Sequence, residues 1–357
     1  MFTQPSVIEA QKAIVVSDVH VDEWSEEVPD NHRAKRRAFL DFLTWVRDES
    51  GVDLVVVNGD MVDIPQKDDT PFLPTYFDIV DIFFDMYRSG IGIAYLVGNH
   101  DAGIPSICLG KGAYPITPPY PFLIIKSGDA SIVAEHGHLV DAWLWAYVRE
   151  RVSLMTPPPA GEAMEHFTTP ALEPSDRYQP RWSSVGRHVF HSLQWEPNGL
   201  QFTDEEIRIG LSLMAHDLED DFADVRADGE PFPEQDRALQ VLDEAGVEVA
   251  TLRHPDTVPD AALQHFTEIG DVYYSRFPWR RAARNRLRQI RHVFDHDPNA
   301  IVFGHIHKVD HNTWEEDGTP RHYYNDGSWK NNNGNFLYIE DGEVQVFDRA
   351  WDDPLPL

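Results

Sequence analysis

The chain has 357 residues, and 60 acidic against 30 basic side chains give it a formal net charge of −30. That length buries a sizeable core in one large or two ordinary domains, and 42% hydrophobic residues exclude an acidic disordered tail. The charge excludes general nucleic-acid binding and electrostatic docking on anionic lipid, because both need a cationic footprint. Only 7 of the 30 basic residues are lysine, and this acidic, arginine-biased composition reads either as adaptation to a salt-rich cytoplasm or simply as that of an acidic, soluble protein. The single cysteine, Cys108, excludes an intrachain disulfide and a thiolate metal cluster. No apolar run reaches the roughly 18 residues of a membrane span, and MFTQPSVIEAQK has no signal-peptide pattern, so a cytoplasmic location is expected.

Strand and helix signals alternate over residues 1–140. AIVVSD (13–18) reads as a buried parallel strand. RAKRRAFLDFLTWVRDES (33–50) follows as a helix with Phe39, Leu43 and Val46 at helical spacing. DLVVVNGD (53–60) is a second strand, TYFDIVDIFFDMYRSG (75–90) a helix closed by Gly90, and IGIAYLVGNHD (91–101) a third strand. FLIIKSGDASIVAEHGH (122–138) reads as a hairpin turning at Gly128-Asp129. Helical patterns broken by proline-rich stretches then run to about residue 295, and RRAARNRLRQIR (280–291) holds six arginines in twelve positions. AIVFGHIH (300–307) restores the strand pattern, followed by hairpins turning at Asp317-Gly318 and Asp341-Gly342. The expected fold class is α/β: a two-layered mixed β-sandwich flanked by helices. Residues 1–142 and 296–357 form its core, and 143–295 form a mainly helical insertion or cap.

Each core strand ends in metal-binding chemistry: Asp18-x-His20, Gly59-Asp60, Gly98-Asn99-His100-Asp101, His136-Gly137-His138 and Gly304-His305-Ile306-His307. In an open α/β sheet, ligands bind beyond the carboxyl ends of the strands. Five segments therefore deliver imidazoles, carboxylates and an amide to one rim. Oxygen and nitrogen donors without sulfur suit two divalent cations, with Mn²⁺ favoured and Fe, Zn²⁺ or Co²⁺ also fitting. Eight ligand positions arise if one carboxylate bridges, too many for a single tetrahedral ion. Two cations about 3.5–4 Å apart clamp both oxygens of an in-line phosphoryl displacement.

This ordered set of motifs resembles the calcineurin-like metallophosphoesterases. The resemblance implies that Asp18, His20 and His307 hold one metal, that Asn99, His136 and His305 hold the other, and that Asp60 bridges them. It also implies that His100 faces the substrate phosphate or leaving group, oriented by Asp101, and that a metal-bridging hydroxide attacks phosphorus. Within that family, H-G-H followed by Asp141 and the late Y-N-D-G-S-W (324–329) resemble the UDP-2,3-diacylglucosamine pyrophosphohydrolase-like branch. The chain departs from that branch at His100, where the branch has arginine, and in its longer stretch between His138 and His305.

The expected activity is hydrolysis of a phosphodiester or pyrophosphate bond in a small phosphorylated substrate, nucleotide- or lipid-linked. The alternatives are a phosphomonoesterase and a non-catalytic metal-site scaffold. His138 stands beside the ligands as a further substrate or orienting residue. On the arginine-rich segment, Ala283, Leu287, Ile290 and Phe294 form an apolar stripe, with Arg281, Arg284, Arg288 and Arg291 opposite. That opposite face is either a solvent face paired with carboxylates or, through Arg284 and Arg288, an anion-binding wall for substrate.

Overall fold

The structure, a computed structural model, describes residues 5–21, 31–62, 73–98, 101, 116–117, 122–138, 204–273, 275–330 and 333–355. Two compact units make up the chain: Met1–His138 with Ala283–Leu357, and Leu139–Ala282.

The first unit holds two six-stranded sheets. One runs β12(Glu343–Phe347)-β11(Phe336–Glu340)-β2(Lys12–Val16)-β3(Leu54–Asn58)-β4(Gly92–Leu96)-β5(Ile116–Thr117). Strands β2 to β5 are parallel, whereas β11 is antiparallel to β2 and to β12. The other runs β1(Ser6–Glu9)-β6(Leu123–Ser127)-β7(Ala130–Ala134)-β8(Ala300–Phe303)-β10(Thr319–Asp326)-β9(Val309–Glu316). There the β1/β6, β7/β8 and β8/β10 pairs are parallel and the β6/β7 and β9/β10 hairpins antiparallel. Both sheets are mixed, as the sequence predicts.

The runs of valine and isoleucine follow from burial on both faces. Alternate side chains of a strand point to opposite sides. Val15, Val56, Ala94 and Leu337 thus form one apolar cluster with Leu123, Ile125, Ala134 and Val302 of the second sheet. Their neighbours Ile14, Val16, Val55, Val57 and Ile93 pack instead with Phe39, Phe42 and Val46 of α1 (Asn31–Asp48) and Ile79, Phe83 and Met86 of α2 (Leu73–Arg88). Each such side chain, fully buried, contributes about 1.5–3 kcal/mol. Both Asp-Gly hairpins turn where predicted: Asp317 and Gly318 have φ of 54° and 74°, Asp341 and Gly342 of 49° and 89°. A two-residue loop of this type needs positive φ at both positions, which Asp-Gly tolerates. β1 and β5 escape the sequence reading because neither contains an apolar run.

In the second unit, α3 (Asp204–Glu219), α4 (Pro233–Glu244), α5 (Asp260–Leu263) and α6 (Phe266–Tyr273) surround a core that includes Leu211, Leu218, Phe232, Leu242 and Ile269. α7 (Arg276–Phe294) contains the boundary between Ala282 and Ala283, earlier than the 295/296 boundary read from the sequence. The reason lies in its later turns. Ala283, Leu287 and Ile290 are buried, and Phe294 meets Phe122 edge-on at 5.0 Å, so these turns belong to the sheet unit.

Candidate metal centre

The ligand motifs occupy the turns just past the strand ends. Asp18 and His20 follow β2, Asp60 follows β3, His136 follows β7, and His305 and His307 follow β8. Ligand atoms of Asp18, His20 and His307 lie within 4.8 Å of one another, and so do those of Asp60, His136 and His305. The backbone is bent to achieve this. Asp18 (φ 52°), His20 (50°), Asp60 (53°), His305 (71°) and His307 (55°) all adopt the left-handed conformation. Such residues cost on the order of 1–3 kcal/mol each and persist only where surrounding structure fixes them. Here the amides of Val19 and His20 both donate to the Asp60 carbonyl (2.9 and 3.1 Å), Gly304 donates to the His136 carbonyl (3.0 Å), and Trp329 donates to the Asp18 carbonyl (3.1 Å).

Side-chain geometry fits cations. His136 Nδ1 lies 2.7 Å from the Asn58 carbonyl oxygen, so it carries the proton and leaves Nε2 facing Asp60 Oδ2 at 3.1 Å. Asp18 Oδ2 accepts from the His305 amide at 2.8 Å. Among the described residues its buried Oδ1 accepts no hydrogen bond, yet it stands 3.1 Å from His307 Nε2. A lone pair and a carboxylate oxygen turned toward a common point, with one of them otherwise unsatisfied, is the arrangement two ligands of one ion take. Among the described residues the donors are imidazoles and carboxylates.

Electrostatics agree. Burial works against charge on Asp18, but His307 and His136 hold its carboxyl below the ordinary range. Burial likewise opposes charge on His136, yet Asp60 and Asp18 outweigh it and push the imidazole up to about 10. Burial, reinforced by His136, holds His305 well below its usual value, and burial lowers His307. By the protein's own charges alone, the two buried carboxylates thus draw a proton onto one histidine of a close pair. Divalent cations answer the same charge while leaving every imidazole neutral, as ligation requires.

Two glycines make room for the carboxylates. A Cβ on Gly98 would overlap Asp60 Oδ1 and stand 2.6 Å from the Asp60 amide nitrogen. A Cβ on Gly304 would overlap the Ser17 hydroxyl and stand 2.7 Å from Asp18 Oδ2. Gly98→Ala is therefore expected to displace Asp60 and lower kcat by about a hundredfold, the effect of misplacing a reacting group by about 1 Å. Steady-state kinetics check this, with wild-type turnover as the contrary result.

Of the residues singled out in the sequence, Asp18, His20, Asp60, His136, His305 and His307 come together in these two groups. Asn99 and His100 lie outside the described residues. Half-buried His138 has its ring centroid 5.5 Å from that of His136. Asp101, expected to orient His100, is anchored on its own account. It is fully buried, and its oxygens accept from the Met61 amide (3.0 Å), the Gly98 amide (2.6 Å) and the Tyr95 hydroxyl (2.6 Å). Burial and the nearby Asp60 push its carboxyl up to about 7. It thereby ties the Asp60 turn to the end of β4.

The arginine face of α7 meets partners within the protein, which favours the carboxylate-paired alternative. Arg288 pairs with Glu316, Arg291 pairs with Glu316 at 2.7 Å, and Arg281 pairs with Asp220 at 2.6 Å. Arg284 reaches Asn312 Oδ1 at 3.2 Å and lies over the Trp314 ring at 5.1 Å. In so acidic a chain, Asp220 takes up Arg281, while Glu316 and the Trp314 ring on β9 take up the later arginines. Arg288→Ala should leave KM unchanged and cost at most about 1 kcal/mol, as for an exposed pair. Denaturant unfolding and substrate saturation curves test both halves, and a raised KM would restore the anion-wall reading.

Sequence reasoning missed three supports. Arg286 grips Glu135, the residue before His136, with Nε–Oε2 at 2.7 Å and Nη2–Oε1 at 3.0 Å. Asn325 Nδ2 donates to the Gly304 carbonyl at 2.8 Å. Ser17 Oγ joins Asp18 to Asp326. The available signals were a polar Ser17 at the end of an apolar run and the Y-N-D-G-S-W stretch, which contains Asn325 and Asp326 but does not show what they support.

A two-sheet α/β unit whose strand ends gather imidazoles and buried carboxylates into two adjoining groups defines a metal-dependent hydrolase of phosphate esters. The chain belongs to the calcineurin-like phosphoesterase family, whose model matches residues 12–220. That family is dimetal-dependent, and membership implies a phosphorylated substrate. No curated protein matches significantly. Solved structures similar to the chain include a conserved uncharacterized protein, described as a predicted phosphoesterase, from Streptococcus pneumoniae. It is 13% identical, covers 97% of this chain and 92% of its own, and has a TM-score of 0.29. A protein of Thermus thermophilus is 9% identical, with 95% and 99% covered and a TM-score of 0.33. A dimetal phosphatase from Danio rerio is 11% identical, with 96% and 97% covered and a TM-score of 0.32. Similarity at these scores is too low to transfer anything further. Among the described residues, no helix is long and apolar enough to cross a membrane.

Proposed function

We propose that the chain is a two-metal hydrolase of phosphodiester or pyrophosphate bonds, with Mn²⁺ as the favoured cation. Asp18, His20 and His307 hold one ion, Asn99, His136 and His305 hold the other, and Asp60 lies between them. The observation that carries this reading is the pair of three-residue groups, each with its ligand atoms within 4.8 Å of one another. The chemistry two such cations supply is activation of water at neutral pH and neutralisation of charge developing on phosphorus. The protein's own part is to hold the carboxylates and imidazoles rigidly. The strained turns, the Asn58 carbonyl on His136 and the glycine clearances do this, so little reorganisation remains when charge builds up. His100 is assigned to the substrate phosphate or leaving group.

The preference for diesters or pyrophosphates rests on the wording of the H-G-H and Y-N-D-G-S-W motifs. The test is relative hydrolysis of bis-(p-nitrophenyl) phosphate and p-nitrophenyl phosphate with Mn²⁺. Faster turnover of the diester is expected. Faster turnover of the monoester would make the chain a phosphomonoesterase, and no turnover of either would remove the enzymatic reading.

A further inference from the structure

The two oxygens of Asp18 have separate environments. Oδ2 accepts from the His305 amide at 2.8 Å and from the Ser17 hydroxyl. Oδ1 faces His307 Nε2 and is buried, with no hydrogen bond among the described residues. Behind Ser17 stands another carboxyl group: Ser17 Oγ lies 2.7 Å from Asp326 Oδ1. Asp326 is 1% exposed, and its Oδ2 has no hydrogen-bond partner among the described residues. The turn that carries it is fixed by Asn325, which donates to the Gly304 carbonyl at 2.8 Å and accepts from the Gly327 amide at 3.0 Å.

A serine hydroxyl has one hydrogen, yet Ser17 Oγ contacts an oxygen of each carboxyl group. The Gly327 carbonyl, at 3.5 Å, lies at the margin. For both contacts to be hydrogen bonds, one carboxyl group must bring a hydrogen of its own. Asp18 Oδ2 already accepts an amide N–H, which suits an anion. A bare, buried Oδ2 is tolerable on a neutral acid and costly on a carboxylate, so the hydrogen belongs to Asp326. Burial and the adjacent Asp18 both push the Asp326 carboxyl well above its ordinary range, in the same sense.

We propose that Asp326 is a positioning residue for the metal centre: as a neutral acid it donates to Ser17, which turns the Ser17 hydroxyl to donate to Asp18 Oδ2 and leaves Oδ1 as the ligand oxygen. The role given to Asp18 rests on the two-metal reading above. The relay fixes one of the two oxygens, so Asp18 does not rotate or bind both-handed, and metal affinity depends on a residue that touches no metal.

Calorimetric titration of Mn²⁺ into the chelator-treated full-length protein tests this without reference to turnover. Ser17→Ala and Asp326→Ala should each weaken one Mn²⁺ site by about 10–100-fold, as loss of such supports does. The double variant should be no weaker than Ser17→Ala, because Asp326 acts through Ser17. Asp326→Asn, whose amide still donates to Ser17, should stay close to wild type. Loss in Asp326→Asn equal to that in Asp326→Ala would mean that charge matters, and the proposal is overturned. Wild-type affinity in Asp326→Ala overturns it equally. If Asp326→Ala does not fold, weak binding by Ser17→Ala alongside retained binding by Asp326→Asn decides the matter. A wild-type chain that takes up no Mn²⁺ removes the two-metal reading as well, whereas a wild-type chain that binds while the variants depart from this pattern removes the relay alone.

Discussion

Asp60→Asn should lower kcat/KM on a phosphodiester by about a thousandfold, roughly 4 kcal/mol of transition-state stabilisation, and should reduce the bound metal. Asp60 is 1% exposed, its Oδ2 stands 3.1 Å from His136 Nε2, and Gly98 is clear of a side chain on its account. Asparagine keeps the shape and removes the negative charge that both cations share. The substitution need not harm the fold. Without cations Asp60 repels Asp101 and is balanced by the proton it draws onto His136, and in Asp60→Asn that imidazole stays neutral, so no charge is left without a partner. In chelator, the melting temperature of Asp60→Asn should therefore not fall below that of the wild type. In Mn²⁺ it should, because the wild type alone gains stability from tight binding. A variant that melts early under both conditions would show that Asp60 holds the fold rather than the metals.

Arg286→Ala should destabilise the first unit by about 3–5 kcal/mol, the usual cost of leaving a buried charge without its partner. Glu135 is 2% exposed, both its oxygens are held by the guanidinium, and the Arg286 head also lies 5.5 Å from the Phe122 ring centroid. Lysine cannot make the two-pronged contact, so Arg286→Lys should recover only part of the loss. Replacing both partners, as in Glu135→Leu with Arg286→Met, should restore most of it, since the penalty lies in the unpaired carboxylate. For a unit of this size the shift is roughly 10 °C in melting temperature. Scanning calorimetry reads it, and an unchanged transition would mean that the pair contributes nothing net.

The sequence carried the strand ends, and with them the chemistry. An apolar run that stops at Asp18, Gly59-Asp60 or His305 announces both a buried strand and a polar rim, so ligand types and strand order are visible together. Asp-Gly at 317–318 and 341–342 was equally legible, because few residue pairs tolerate two successive left-handed conformations. What could not be read is who supports the ligands. Ser17 and Asp326 are 309 positions apart and meet through the order of strands across two sheets. Arg286 and Glu135 are 151 apart. Periodicity reports which face of an element is apolar and is silent on its partner. The same gap explains the arginines of α7: their spacing showed a common face, but only β9, with Glu316 and Trp314, shows what that face meets.

The most direct measurement is metal content and hydrolysis on one preparation: the full-length chain stripped with chelator, reloaded with Mn²⁺, assayed by elemental analysis and offered bis-(p-nitrophenyl) phosphate. Two equivalents per chain are expected, with activity lost on stripping and regained in step with loading, and with Asp60→Asn defective in both. A chain that hydrolyses the diester equally well when stripped, or that loads fully with Mn²⁺ and hydrolyses no phosphate ester, would contradict a two-metal phosphoesterase.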